Sequence, residues 1–307
     1  MKVLVTGGAG YIGSTISSCL LDNGITPVIL DSIVKGKREF TVDRIFYEGD
    51  IANTLLIEKI LNEHADIDSV IHCAARIEVP ESVQEPYLYY HENVCKPLEM
   101  LNTLRKTSLK KIIFSSSAAI YKGNDEHKFD ENADLDANCP YAYTKIVVER
   151  MLEDFCHAYG FQCISLRYFN PIGADPKMRS GPYDRNPSHL LGNLVDVASE
   201  RKAQFELTGT NWETRDGTAI RDYVHVWDLA LAHAAAVEQF EKIIQQSKDN
   251  YSVINLGSDN GVTVREFVSS FEAVIGRTIP KVETEPRPGD GIGGYAVSLK
   301  AKSLMGW

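Results

Sequence analysis

Lys2-Val3-Leu4-Val5-Thr6-Gly7-Gly8-Ala9-Gly10-Tyr11-Ile12-Gly13 is the stretch that decides the fold. A short apolar run, Lys2 to Thr6, stops at a glycine pair, and a helical pattern from about Ile12 to Asn23 follows, so the segment predicts a buried strand turning into a helix. Gly7, Gly10 and Gly13 recur at every third position across that turn. Glycines placed this way let the backbone turn tightly and approach a pyrophosphate, whose charge is met by free amides and the helix dipole. The cradle therefore runs from Gly7 through Tyr11 and Ile12 to Gly13. Asp31 follows at the end of the next apolar run. A carboxylate there accepts hydrogen bonds from both ribose hydroxyls of NAD and repels the additional phosphate of NADP, so NAD is the expected cofactor.

Working outward, the runs 26–30, 44–47, 69–73, 111–116 and 162–169 each read as another buried strand, and helical patterns at 55–63, 88–106 and 141–159 lie between them. Continuous apolar strands alternating with amphipathic helices imply an α/β, Rossmann-like, doubly wound parallel sheet that binds ligands at the carboxyl ends of its strands. The regularity breaks at Asn170-Pro171, and Gly, Pro and charged residues dominate through Pro187. Residues 223–226, a helix over 228–243 and the run 252–257 look like first-lobe material again. The expected division is residues 1–169 with 221–257 as an NAD-binding domain, and 170–220 with 258–307 as a smaller C-terminal substrate-binding lobe.

Composition sets the outer bounds. Of 307 residues, 44% are hydrophobic and 24% charged, the balance of a folded globular chain. A formal net charge of -10 argues against nucleic acid or an anionic membrane as partner. Any bound phosphate must be held locally. Cys19, Cys73, Cys95, Cys139, Cys156 and Cys163 form no CxxC pair, and the histidines show no ligand spacing, so no metal is expected. Nothing in the chain approaches the length of a membrane span, and the cytoplasm is the expected address.

The chemistry points to the end of the fifth strand and the helix after the next loop. The strand ends in Ser115-Ser116-Ser117, and Tyr141 is followed four positions later by Lys145. One helical turn puts both side chains on one face, toward the strand ends. A free phenol titrates near 10, so an adjacent ammonium and a positive nicotinamide are expected to stabilise its phenolate, with Ser117 holding the reacting oxygen.

With these residues in place, the chain resembles UDP-glucose 4-epimerases along essentially its whole length. The blocks VTGGAGYIG, EGDI (48–51), ESV (81–83), FSSSA (114–118), LRYFNP (166–171), DGTAIRDYVHV (216–226), NLG (255–257) and PRPGD (286–290) look like that family's motifs in order. The resemblance implies that Asp50 and Ile51 flank the adenine, that Asn93 and Tyr168 line the nicotinamide side, and that Asn170 touches the substrate phosphates. It implies that Arg221 and Arg287, with Asp290 beside them, hold the UDP diphosphate, which explains how an acidic protein binds an acidic substrate. The implied reaction removes a proton from the sugar's C4 hydroxyl through Tyr141, passes through a 4-keto sugar that turns in the pocket, and regenerates the cofactor. A homodimer through helices 88–106 and 141–159 is implied as well.

Gly294 stands where many family members carry a bulky tyrosine, which leads to the expectation of an open wall that admits a 2-acetamido group. Arg76 and Ile77 replace a Leu-Lys step, and Arg76 offers a partner for the carboxylate of UDP-glucuronate, the nearest alternative substrate. Sugar-nucleotide 4,6-dehydratases are disfavoured, because Ser117-Ala118-Ala119 lacks the acidic pair that drives elimination. A non-enzymatic NAD sensor is the alternative of another class, and it would be expected to lose Tyr141 or Lys145.

Overall fold

The computed structural model describes residues 1–184, 187–287 and 290–307. Its centre is a parallel sheet of β1 (Lys2–Thr6), β2 (Thr26–Asp31), β3 (Ile45–Glu48), β4 (Ile67–His72), β5 (Lys111–Ser117), β6 (Gln162–Tyr168) and β7 (Tyr251–Leu256). The order is β7-β6-β5-β4-β1-β2-β3. The chain starts in the middle and winds outward in both directions, which opens a crevice at the carboxyl ends of β1 and β4.

The period of two along β1 sorts the core. Val3 and Val5 join Ile16, Leu20, Leu229 and Ile254 on one face, whereas Leu4 joins Val28, Ile57, Met100 and Leu152 on the other. The first face is covered by helices Tyr11–Asp22 and Val226–Glu238, the second by Thr54–Glu63, Lys96–Leu104 and Pro140–Tyr159. A separate core of Leu194, Val197, Phe205, Leu207, Val268 and Ile279 supports the rest. There helix Val264–Ile275 starts with a reciprocal capping box between Thr263 and Glu266.

Three elements differ from the sequence expectation. The single helix over 88–106 is instead Pro86–Tyr90, a five-residue π turn at His91–Cys95, and Lys96–Leu104. Pro97 explains the interruption, because it has no N–H to donate and its ring crowds the carbonyl four residues back, at Asn93. Tyr223–His225 does not join the main sheet; it pairs in parallel with Asn170–Ile172 as a two-stranded ribbon. Finally, helix Leu299–Met305 lies in the stretch assigned to the second lobe, yet Ala301 and Leu304 pack into the core of the central sheet. Among the described residues, no helix is long and apolar enough to cross a membrane, and no group of His, Cys, Asp and Glu has the arrangement of a metal site.

Candidate active site

The glycines of the first turn do different work. Gly7 has φ +72°, and a Cβ there would lie 2.6 Å from the Ala74 nitrogen; a Cβ on Gly13 would lie 2.3 Å from the Gly7 oxygen. Both positions are closed by backbone. A Cβ on Gly10 would meet only that same oxygen, at 3.3 Å, a tight contact that a shift of a few tenths of an ångström relieves, so Gly10 is the least enclosed of the three. Helix Tyr11–Asp22 starts here with no acidic residue in its first turn, which leaves its leading amides available to an anion. The Tyr11 hydroxyl donates to the Gly173 carbonyl at 2.7 Å, and Ile12 packs against the core.

Asp31 ends β2, buried, and accepts hydrogen bonds from the Ala9 nitrogen at 3.0 Å and the Ile33 nitrogen at 2.8 Å. Burial pushes its carboxyl pKa up, against the pull of those two amides. Each carboxylate oxygen retains a lone pair for a ribose hydroxyl. Ile51 is buried, and Asp50 accepts from Lys96 at 2.6 Å on the rim of a cavity of about 330 Å³ shared with His91 and Cys95. The face above Gly10, the free helix amides and the placed carboxylate fit the parts of NAD.

At the carboxyl end of β5, Ser117 approaches Tyr141, and Lys145 lies one turn further along helix Pro140–Tyr159. Tyr141 is 9% exposed and Lys145 4%. The Lys145 ammonium donates to the Ser115 carbonyl at 2.8 Å and stands 5.9 Å from the Tyr141 ring centroid. Burial pulls the Lys145 pKa down to about 8, with Cys73 and Glu149 opposing. Burial pushes Tyr141 up to about 12; a hydrogen bond with Ser117 works against that rise, and the charges of Cys139 and Glu78 add to it. The expected stabilisation of the phenolate by the ammonium and a positive nicotinamide together is not met by the chain's own groups, since burial sets the direction of the Tyr141 shift. Phenolate formation needs further positive charge at the ring.

Tyr168 lies beneath, its phenol pushed well above the usual range by burial and by nearby Cys73 and Tyr141, with a Ser115 hydrogen bond opposing. Asn93 is not free to face a ligand. Its Oδ1 accepts from the Arg76 nitrogen at 2.8 Å, and its Nδ2 donates to the Arg76 carbonyl at 2.9 Å and to Thr144 Oγ1 at 3.3 Å. It fastens the loop after β4 to the Tyr141 helix. Below this layer Ser116 donates to Glu149 at 2.5 Å, and Glu149 pairs with buried Arg167 at 2.6 Å, which keeps the end of β5 rigid.

On the opposite side of the crevice, Arg221 directs its guanidinium, among the described residues, to backbone carbonyls: Ile220 at 2.8 Å, Gly291 at 3.1 Å and Ile292 at 3.3 Å. Burial lowers its pKa, Tyr223 and Asp290 oppose this, and neighbouring Arg287 adds to it. Among the described residues no carboxylate pairs with it. A partly desolvated cation whose hydrogen bonds go to neutral carbonyls is the arrangement an anionic ligand completes. Arg287 is half exposed, pairs with Asp290 at 3.1 Å and donates to the Ser188 carbonyl at 3.3 Å. Asn170 is exposed, its backbone nitrogen bonded to the Asp222 carbonyl at 2.9 Å.

The open wall expected at Gly294 is not there. A Cβ on Gly294 would lie 2.5 Å from both the His127 carbonyl oxygen and the Phe129 ring, because strand Tyr295–Ala296 pairs closely with Lys128–Phe129. The sequence reading also missed Glu78, Ser188 and His189. Glu78 accepts from the Ser188 hydroxyl at 2.7 Å and acts electrostatically on both Tyr141 and His189. Glu78 carried one signal, its place in the loop after β4; Ser188 and His189 lie far along the chain and carried none.

A glycine-turn dinucleotide site with a Ser-Tyr-Lys group at the strand ends defines a class of NAD-dependent enzymes that work on hydroxyl-bearing carbons. Residues 3–257 match the NAD dependent epimerase/dehydratase family, and the chain belongs to that family. The UDP-glucose 4-epimerase of Halalkalibacterium halodurans is 39% identical over 307 residues, 100% of this chain and 90% of that protein. A crystal structure of UDP-glucose 4-epimerase from Bifidobacterium longum, in complex with NAD+ and UDP, superposes with a TM-score of 0.91 at 33% identity, covering 100% of this chain and 93% of that one. The UDP-Glc/GlcNAc 4-epimerase of Campylobacter jejuni gives 0.82 at 29% identity, with the same coverage.

Proposed function

We propose that this chain interconverts UDP-hexoses epimeric at C4, UDP-glucose and UDP-galactose foremost, with Tyr141 as the group that takes and returns the C4 hydroxyl proton. When bound, NAD supplies a reversible two-electron acceptor and a positive ring. Gly10, the leading amides of helix Tyr11–Asp22 and Asp31 would hold it. Ser117 keeps the phenol and the reacting oxygen in one hydrogen-bonded line, and the Lys145 ammonium, fixed on the Ser115 carbonyl, favours the phenolate once the ring charge is in place. Arg221 and Arg287 hold the diphosphate, which leaves the sugar free to turn as its 4-keto form and to be reduced from either face.

The observation that carries this reading is the conjunction of Ser117, Tyr141 and Lys145 at the carboxyl edge of the sheet beside the glycine turn. The case for 2-acetamido sugars that rests on space at Gly294 lapses, because Phe129 fills that space. The same reading takes residues 1–169 with 221–257 as the cofactor half and 170–220 with 258–307 as the sugar half, except that helix Leu299–Met305 packs with the cofactor half. It gives a cytoplasmic homodimer joined through the helices that expose Tyr87, Leu98 and Tyr143. Incubating purified protein with UDP-glucose, without added cofactor or reductant, and separating the products tests it. A mixture with UDP-galactose is expected; UDP-glucose left unchanged by protein carrying NAD would contradict it.

A further inference from the structure

The loop from Ala74 to Glu78 leaves β4 at its carboxyl end and leads into helix Val79–Gln84, with Glu78 at the N-cap position. Val79 packs against the buried cluster of Tyr89, Cys139, Tyr141 and Ala142, so Glu78 is held next to the phenol by its own chain neighbour. Its backbone is fixed too, since the Tyr89 hydroxyl donates to the Glu78 carbonyl at 2.7 Å. Its carboxylate reaches across the crevice to accept from Ser188 at 2.7 Å, and Ser188 in turn receives Arg287 on its carbonyl. The negative charge thus lies one residue from the arginine assigned to the diphosphate, through Ser188, and close enough to the phenol that works on C4 to act on it electrostatically. Arg76, the cation that the sequence offered to a sugar carboxylate, is paired with Glu81 at 3.5 Å instead. Lys145 is turned to the Ser115 carbonyl.

We propose that Glu78 is a specificity-determining residue whose carboxylate admits UDP-sugars with an uncharged hexose and rejects UDP-hexuronates. The inference rests on the UDP-hexose reading above. C6 is two bonds from C4, so a carboxylate at C6 stays near Tyr141, and hence near Glu78, in both orientations of a turning sugar. Like charges brought together in a partly desolvated pocket repel strongly, and this is a repulsive element of specificity rather than a new contact. Glu78 also bridges the loop after β4 and Ser188, so the position of the charge is fixed by the fold.

The test compares kcat/KM for UDP-glucose and UDP-glucuronate in the parent and in Glu78→Gln, which keeps the shape and an acceptor for Ser188 while removing the charge. The parent is expected to favour UDP-glucose by about 100-fold or more, and Glu78→Gln to shrink that ratio by about 10-fold, mainly through a lower KM for the uronate. A ratio unchanged in Glu78→Gln, or a parent that turns over both sugars equally, overturns the proposal. If neither sugar is turned over, it is the UDP-hexose reading that fails. Calorimetric affinities of the two nucleotide sugars then decide the role of Glu78: the uronate must bind more tightly to Glu78→Gln than to the parent, and equal affinities overturn the assignment.

Discussion

Gly7, Gly10 and Gly13 sit in one short turn whose shape is set by contacts of backbone with backbone, whereas Arg221 and Arg287 come from distant parts of the chain and meet across a loop. Both regions are suited to anions. The turn does so with amides and a helix end that are in place as soon as β1 and its helix form. The arginines do so with full charges, one half-buried against carbonyls and one half exposed against Asp290. One device resists change because an atom added at Gly7 or Gly13 collides with backbone. The other tolerates change in shape and fails through charge.

The largest expected effect is on the turn. Gly13→Ala forces a methyl against the Gly7 oxygen, and such overpacking costs about 1–3 kcal/mol or more, so purified protein should carry little NAD and melt earlier. Gly10→Ala should fold like the parent and still bind NAD about 10-fold more weakly, since its methyl enters the space assigned to the pyrophosphate. Cofactor content and melting temperature read both; a Gly13→Ala protein fully loaded with NAD breaks the contrast.

Next come the arginines. Arg221→Met should weaken UDP binding by about 10- to 100-fold, the worth of charge-assisted hydrogen bonds, and lower the melting temperature only slightly, because the cost of desolvating the cation offsets part of what its bonds to three carbonyls contribute. Arg287→Ala should weaken UDP by about 10-fold at most, since the side chain is half exposed and already paired. Calorimetry with UDP checks both, and equal losses would sink the distinction.

The smallest effect concerns pH. The Lys145 pKa is about 8 in the folded chain, against an ordinary 10.5. Between those values the unfolded chain binds more protons than the folded one, so the stability contributed by this group rises with pH through that window and is flat below it. The parent should therefore gain melting temperature relative to Lys145→Met between pH 8 and pH 10. A difference that does not vary with pH would contradict the buried ammonium.

Legibility in the sequence followed the same division. β1, the glycine turn, Asp31 and the Tyr141-Lys145 pair were readable because each depends on local period or spacing. Pro97 announced the break in the helix over 88–106, but apolar periodicity masked it. The ribbon of Tyr223–His225 with Asn170–Ile172, the packed environment of Gly294 and the Glu78–Ser188 bridge depend on which loops meet in space, and no periodicity records that. The direction of the Tyr141 pKa was also out of reach, because it follows from burial rather than from its neighbour in sequence.

The account stands on the Tyr141 phenol as proton acceptor. Tyr141→Phe removes one oxygen from a side chain that keeps its packing, so bound NAD and UDP affinity should match the parent while kcat for UDP-glucose falls by about 100- to 10,000-fold. A Tyr141→Phe protein that retains NAD and epimerises within a few-fold of the parent would contradict it.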